Sequence, residues 1–163
     1  MSLTHRAAIA CVLAVLAPVA ARATHILPAM IGATELIDTD RRSGLALSGY
    51  DPVAYQVDGR AVPGLAAHEE IFAGVAWRFG SAANRAAFLR DPAAFLPRIG
   101  GYDAAAAVAG RVASADPRLF TVSEGRLYLF RTEEGRRRFL ADGNAADAAE
   151  QGWIRIRTAL VAD

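Results

Sequence analysis

The stretch FAGVAWRFGSAANRAAFLRD, residues 72–91, returns as SEGRLYLFRTEEGRRRFLAD, residues 123–142, at a constant offset of 51 positions. Gly74, Phe79, Arg85, Phe88, Leu89 and Asp91 fall on the identical Gly125, Phe130, Arg136, Phe139, Leu140 and Asp142, and Trp77 and Ser81 fall on Tyr128 and Thr132. Any hairpin followed by a helix wants a turn glycine, a strand aromatic and a hydroxyl cap, so part of the echo is shared local chemistry. The arginine and aspartate pairs are not demanded by that chemistry, and they point to a duplicated unit.

Each copy reads the same way. Ala73-Gly74 turns the chain, and Val75, Trp77 and Phe79 share one face of the returning strand, because side chains alternate along a strand. Ser81 then caps a helix to about Arg90, with Pro92 beyond its end, and Phe88 and Leu89 pin it on the hairpin. In the second copy Glu124-Gly125 turns, Arg126 to Phe130 returns and Thr132 caps. Glu133 and Glu134 in the first turn and Arg136 to Arg138 later complement the helix dipole. Gly135 weakens this helix by about 1 kcal/mol.

Outward from the echo, Val53 to Val57 alternates like a strand, and Asp58-Gly59 turns it toward Arg60-Ala61-Val62, which predicts a first short hairpin. Pro92 to Pro97 reads as a short helix, and Asp103 stands where it could cap a helix over the alanine run Ala104 to Ala107. Ala149, Trp153, Ile156 and Leu160 recur at helical spacing in the tail, where length favours a helix over a strand. The expected class is α+β: small antiparallel hairpins each followed by a helix, two echoed units (72–91 and 123–142) forming one domain, and a C-terminal helix.

The first 23 residues read as a secretory signal peptide, with Arg6 before an apolar run from Ala7 to Ala21 and small residues at Ala21 and Ala23 for cleavage. That run is short for a membrane span and is broken by Pro18, so no stable membrane insertion is expected after cleavage and the destination is periplasmic or secreted. Residues 24–44 form a lead-in whose polar part, Asp38 to Gly44, reads as a loop, and residues 45–163 form the domain. Cleavage removes Arg6 and Arg22 and leaves 16 arginines against 17 acidic residues, which is no nucleic-acid footprint. It also removes Cys11, the only cysteine, so thiol chemistry is excluded from the exported domain, whose 53% apolar composition suits a core without disulfides.

Gly49-Tyr50-Asp51-Pro52-Val53-Ala54-Tyr55, then Trp77, Phe79, Ser81, Asn84, Arg85 and Phe88 in their spacing, Asp91-Pro92 and Gly100-Gly101-Tyr102, resemble the exported YHS-domain proteins. The resemblance runs from about Leu45 to Trp153 and includes Asp116-Pro117 and Gly125 to Leu129. It implies a small metal-binding or metal-associated module. In the family's cysteine-bearing members thiols stand at the positions that are Gly80, Asn84 and Asp103 here. Zn or Cu(I) held in that way would lose its thiolate ligands.

Several candidate residues follow, each with two readings. Asp103 could serve a harder divalent cation together with His68, Glu69, Glu70 or Asp51, or simply cap the Ala104 helix. His68 is a ligand or proton carrier, or a solvated residue at a strand start. Asp51 closes an Asx turn before Pro52, or joins Tyr50, Tyr55 and Tyr102 around a small-molecule pocket. Arg85 and its echo Arg136 approach a shared anion, or pair with Asp91 or Asp142. No Gly-x-Ser-x-Gly elbow, His-Glu-x-x-His or phosphate loop is present, so no catalytic residue is assigned. The leading expectation is a non-enzymatic exported binding module; the rivals are a small-molecule carrier or enzyme using Tyr50, Asp51, Tyr55, Arg85, Tyr102 and Asp103, and a structural or interaction module with Phe79, Phe88, Phe130 and Phe139 packed together. The ligand, whether metal, small molecule or protein partner, is not specified by sequence.

Overall fold

The computed structural model describes residues 36–162, so the expected signal peptide and most of the lead-in lie outside the described residues. The architecture is α+β, with two small antiparallel hairpins, each followed by a helix, and a long C-terminal helix. In chain order these are α1 (Ala54–Val57), β1 (Leu65–Phe72), β2 (Val75–Phe79), α2 (Ala82–Arg90), α3 (Pro92–Phe95), α4 (Ala104–Val108), β3 (Asp116–Ser123), β4 (Arg126–Phe130), α5 (Glu133–Ala141) and α6 (Ala145–Ala162).

The echo holds residue for residue and reaches further back than residue 72. Strands β1 and β3, β2 and β4, and helices α2 and α5 begin and end 51 positions apart. Both hairpins shift register at the same place, between Leu65 and Glu69 and between Asp116 and Phe120. Both turn through a pair of left-handed residues, Ala73-Gly74 and Glu124-Gly125, the geometry that matches strand twist. Ser81 and Thr132 each accept a hydrogen bond at 3.1 Å from the backbone N–H three residues on, that of Asn84 or Gly135, as N-caps do. The first strand starts at Leu65, seven residues before the start of the echoed stretch at Phe72.

Upstream, Gly49-Tyr50-Asp51 and Gly101-Tyr102-Asp103 form a matching pair of turns. Asp51 N–H donates to Val62 O and Asp103 N–H to Ala113 O, both at 2.8 Å. Tyr50 bridges Pro63 and Tyr102 bridges Ser114. The offset there is 52 rather than 51, because the second copy has one residue fewer between this aspartate and the following left-handed glycine, Gly59 or Gly110. The expected hairpin over residues 53–62 does not form: residues 54–57 are helical, the place where α4 stands in the second copy. Alternation over five residues misled because the turn closed by Asp51 directs Val53, Ala54 and Tyr55 into the core together.

Each copy has its own aromatic cluster. Phe88 lies 5.2 Å from Phe79 and 5.5 Å from Trp77 between ring centroids, and Phe139 lies 5.0 Å from Phe130 and 5.2 Å from Tyr128. The four phenylalanines thus form two pairs in separate clusters, not one packed set. Phe88 alone pins α2, since Leu89 is 46% exposed. The cores meet at β4, whose residues alternate between them: Leu127 and Leu129 enter the first cluster, Tyr128 and Phe130 the second. Helix α6 closes the second cluster with Ala145, Ala149 and Trp153. At Gly152 it comes so near α4 that an added Cβ would sit 2.0 Å from Ala107 O, which explains a glycine in mid-helix.

Candidate functional site

Asp51 is the only charged side chain among the fully buried ones described. Its Oδ1 accepts from Val53 N–H at 2.8 Å, closing the expected Asx turn, while Oδ2 accepts from Gly80 N–H at 2.7 Å and from the Asn84 amide at 2.6 Å. A buried carboxylate is tolerated when its lone pairs are filled, and here three donors from three segments fill them. Gly80 follows β2 and Asn84 sits in the first turn of α2, so the network ties the Tyr50-Asp51 turn to the strand-to-helix junction. Two of the three positions singled out by the resemblance therefore meet at one carboxylate. A side chain at residue 80 would begin 3.3 Å from Asp51 Oδ2.

The third position, Asp103, belongs to the other copy. Its Oδ1 accepts from Ala105 N–H at 3.1 Å and caps α4, the counterpart of the Asp51–Val53 bond. The residues opposite are Arg131 and Gly135, in place of Gly80 and Asn84. His68 lies half-buried in the bulge of β1. Among the described residues no group of three or more His, Cys, Asp or Glu side chains is placed to hold a metal ion.

The three tyrosines do not gather around one cavity. Tyr55 is buried, its hydroxyl donates to Pro117 O at 2.8 Å and its ring meets Phe120 edge-on at 4.8 Å, so it fastens the first copy to β3 of the second. Burial pushes its ionisation far above the ordinary range, which leaves it a neutral donor. Tyr50 packs on the first cluster and Tyr102 on Trp153, 5.4 Å between centroids. The arginines also part company. Arg85 pairs with Glu70, with Nε at 3.0 Å from Oε2, and Arg136 pairs with Glu133 and reaches Phe120 O; neither takes Asp91 or Asp142. A helical arginine four residues before the leucine of α2 faces back over β1, where Glu70 lies nearer than the helix end.

A feature that sequence reading missed is a cleft of about 910 Å³ on the second copy, lined by Asp38, Thr39, Arg41, Tyr102, residues 112–116 and Arg131. The lead-in forms one wall. Asp40 orders it, with Oδ1 accepting from the N–H groups of Arg42 and Ser43 and from the Ser43 hydroxyl; these bonds, the Ser43 N–H foremost, lower the Asp40 pKa. That turn carries Arg41. Asp38 is tied to the facing wall by Ser114 Oγ at 2.9 Å and Ala115 N–H at 3.1 Å, and its burial raises its pKa against the opposing pull of those bonds. Asp116 is held by Arg118 at 2.7 Å, whose guanidinium bonds are the main cause of its lowered pKa. The signal available in sequence was the second copy's polar replacements at Ser114, Asp116 and Arg131, which stand where the first has Pro63, Leu65 and Gly80.

A cluster of charges fixes α6 behind the cleft. Glu150 accepts from the Tyr128 hydroxyl at 2.6 Å and from Arg98 at 2.8 and 3.1 Å, with Arg126 at 3.3 Å. Arg98 above all, with Tyr128 adding to it, brings the Glu150 pKa down to about 2. Among the described residues no helix is long and apolar enough to cross a membrane. Comparison with family models, curated proteins and solved structures gives no match to this chain.

Proposed function

We propose that the chain is an exported, non-enzymatic binding module of the YHS type, in which the first copy is a closed scaffold and the second copy holds a small ligand in its cleft. The observation that carries this reading is the divergence of one wall. Gly80 donates to the sealed Asp51 network and Pro63 and Leu65 are apolar, whereas their counterparts Arg131, Ser114 and Asp116 line an open, polar hollow of about 910 Å³, within the size range of small-molecule sites. The groups suited to acid–base work support a binding role, since Tyr55, Asp51 and Asp103 are all engaged in structural hydrogen bonds. Native mass spectrometry and elemental analysis of protein purified from its own compartment test it. A small organic molecule retained by the folded chain is expected. Stoichiometric metal lost on His68→Ala or Asp103→Ala would replace this reading with a metal-binding one.

A second reading, an interaction module, is favoured by apolar side chains exposed in matching pairs: Val57 and Val108, Ile71 and Val122, Leu89 and Leu140. A rise in sedimentation coefficient with concentration, reversed by Leu89→Glu with Leu140→Glu, would support it.

A further inference from the structure

The cleft of the second copy is lined by two arginines, Arg41 and Arg131, and by two aspartates, Asp38 and Asp116. Asp116 is paired with Arg118, and Asp38 is occupied by Ser114 and Ala115, so the carboxylates of the walls already have partners. Arg41 and Arg131, both exposed at the cleft, form no ion pair among the described residues. Neither guanidinium hangs on a loose segment. Arg41 rides the turn closed by Asp40, and Arg131 joins β4 to the Thr132 cap of α5. In the first copy the position of Arg131 is Gly80, whose N–H is spent on Asp51, so the guanidinium is a departure made only where the cleft is open. Tyr102, backed by Trp153, and Val112 give the hollow an apolar side that suits a carbon skeleton.

We propose that this cleft binds a small organic acid, its carboxylate or phosphate group received by Arg41 and Arg131; the proposal rests on the reading of the second copy as the binding half. A guanidinium offers paired N–H donors in the plane of an oxyanion, and two of them in one recess select for such a group over a neutral one. Ser114 and Thr39 add hydroxyls that could meet a ligand's own polar substituents.

The test is calorimetric titration of the full chain with succinate and with inorganic phosphate at low ionic strength, repeated on Arg41→Gln, Arg131→Gln and, as a control for general charge, Arg90→Gln in the first copy. At least one probe is expected to bind, with affinity falling about tenfold or more in each cleft variant, as befits a lost charged hydrogen bond, and little in the control. Succinate binding alone marks a carboxylate ligand, and phosphate binding alone a phosphorylated one; either supports the inference. Failure of both probes overturns it, as does an equal loss in all three variants. An uncharged molecule carried by the native protein would overturn the anion inference while leaving the binding module standing, and an empty native protein that binds neither probe would remove both.

Discussion

The two copies share a backbone and differ in what they enclose. In the first, the turn at Asp51 is locked to Gly80 and Asn84, and Pro63 and Leu65 stand where the second has Ser114 and Asp116. In the second, Asp103 keeps only the capping half of that network, and Arg131 and Ser114 line a cleft. Burial differs in the same sense. Strand β2 buries alternate residues, whereas β4 is covered on both faces, Leu127 and Leu129 on one and Tyr128 and Phe130 on the other. The first copy thus closes on Asp51, and the second joins the cores and opens a surface between the lead-in and its own strand ends.

The largest expected effect tests whether the cores are one cooperative body. Phe88→Ala removes a fully buried ring from the first cluster and should cost about 3–5 kcal/mol. Phe139→Ala should fall at or below the lower end of that range, because Phe139 borders a groove of about 270 Å³ between α4, α5 and α6 and has fewer neighbours to lose. Since β4 serves both cores, each variant should shift a single unfolding transition. Trp77 and Trp153 report on the two clusters separately in Trp153→Phe and Trp77→Phe backgrounds. Urea curves that separate between those two reporters would break the picture of a common wall.

Much of this comparison was legible in the residues. The turns at Ala73-Gly74 and Glu124-Gly125, the caps Ser81 and Thr132, and the aromatic faces of β2 and β4 follow from local chemistry, and each stands where expected. The Tyr50-Asp51 and Tyr102-Asp103 equivalence was harder to see, because one missing residue breaks the constant offset. Residues 53–57 misled because an alternation of only five residues is too short to fix a strand and tertiary contact decided it. The site was less legible than the fold. Arg41, Ser114 and Arg131 are far apart in the chain, and nothing local tells a guanidinium in a recess from one in solvent. Tyr50, Tyr55 and Tyr102 illustrate the converse: three tyrosines that suit a pocket equally suit a core edge, and Tyr55 has gone to the core.

The aspartates sharpen the contrast at an intermediate scale. Asp51→Ala strands the Gly80 N–H, the Val53 N–H and the Asn84 amide in a buried setting, and a loss of about 2–4 kcal/mol is expected. Asp103→Ala removes one cap bond from a half-buried turn, which is worth about 1 kcal/mol. Chemical denaturation of the two variants side by side measures the difference. Equal losses would mean that the second copy retains a buried network of the first kind, and the division into scaffold and binding halves would lose its energetic basis.

The smallest effect is expected at Glu150 and depends on pH. Its partners Arg98, Arg126 and Tyr128 have no ionic counterpart in the first copy, where Val75 and Trp77 stand in place of Arg126 and Tyr128 and the Trp77 indole donates to Phe72 O at 3.2 Å. Because the Glu150 pKa falls from an ordinary 4.5 to about 2 on folding, its contribution is complete above about pH 4.5 and is lost as pH falls toward 2. The arginines are partly exposed, so salt and solvent limit the size of the effect. Urea midpoints measured from pH 6 to pH 2 should decline through that window in the unmodified chain. Glu150→Gln should start lower and decline less. The same titration in 0.5 M salt should narrow the gap between the two proteins, as screening weakens the pairs with Arg98 and Arg126. Parallel curves at both ionic strengths would show that α6 is held on the second copy by Ala145, Ala149 and Trp153 alone, and acid sensitivity would then have to be sought outside the copy that carries the cleft.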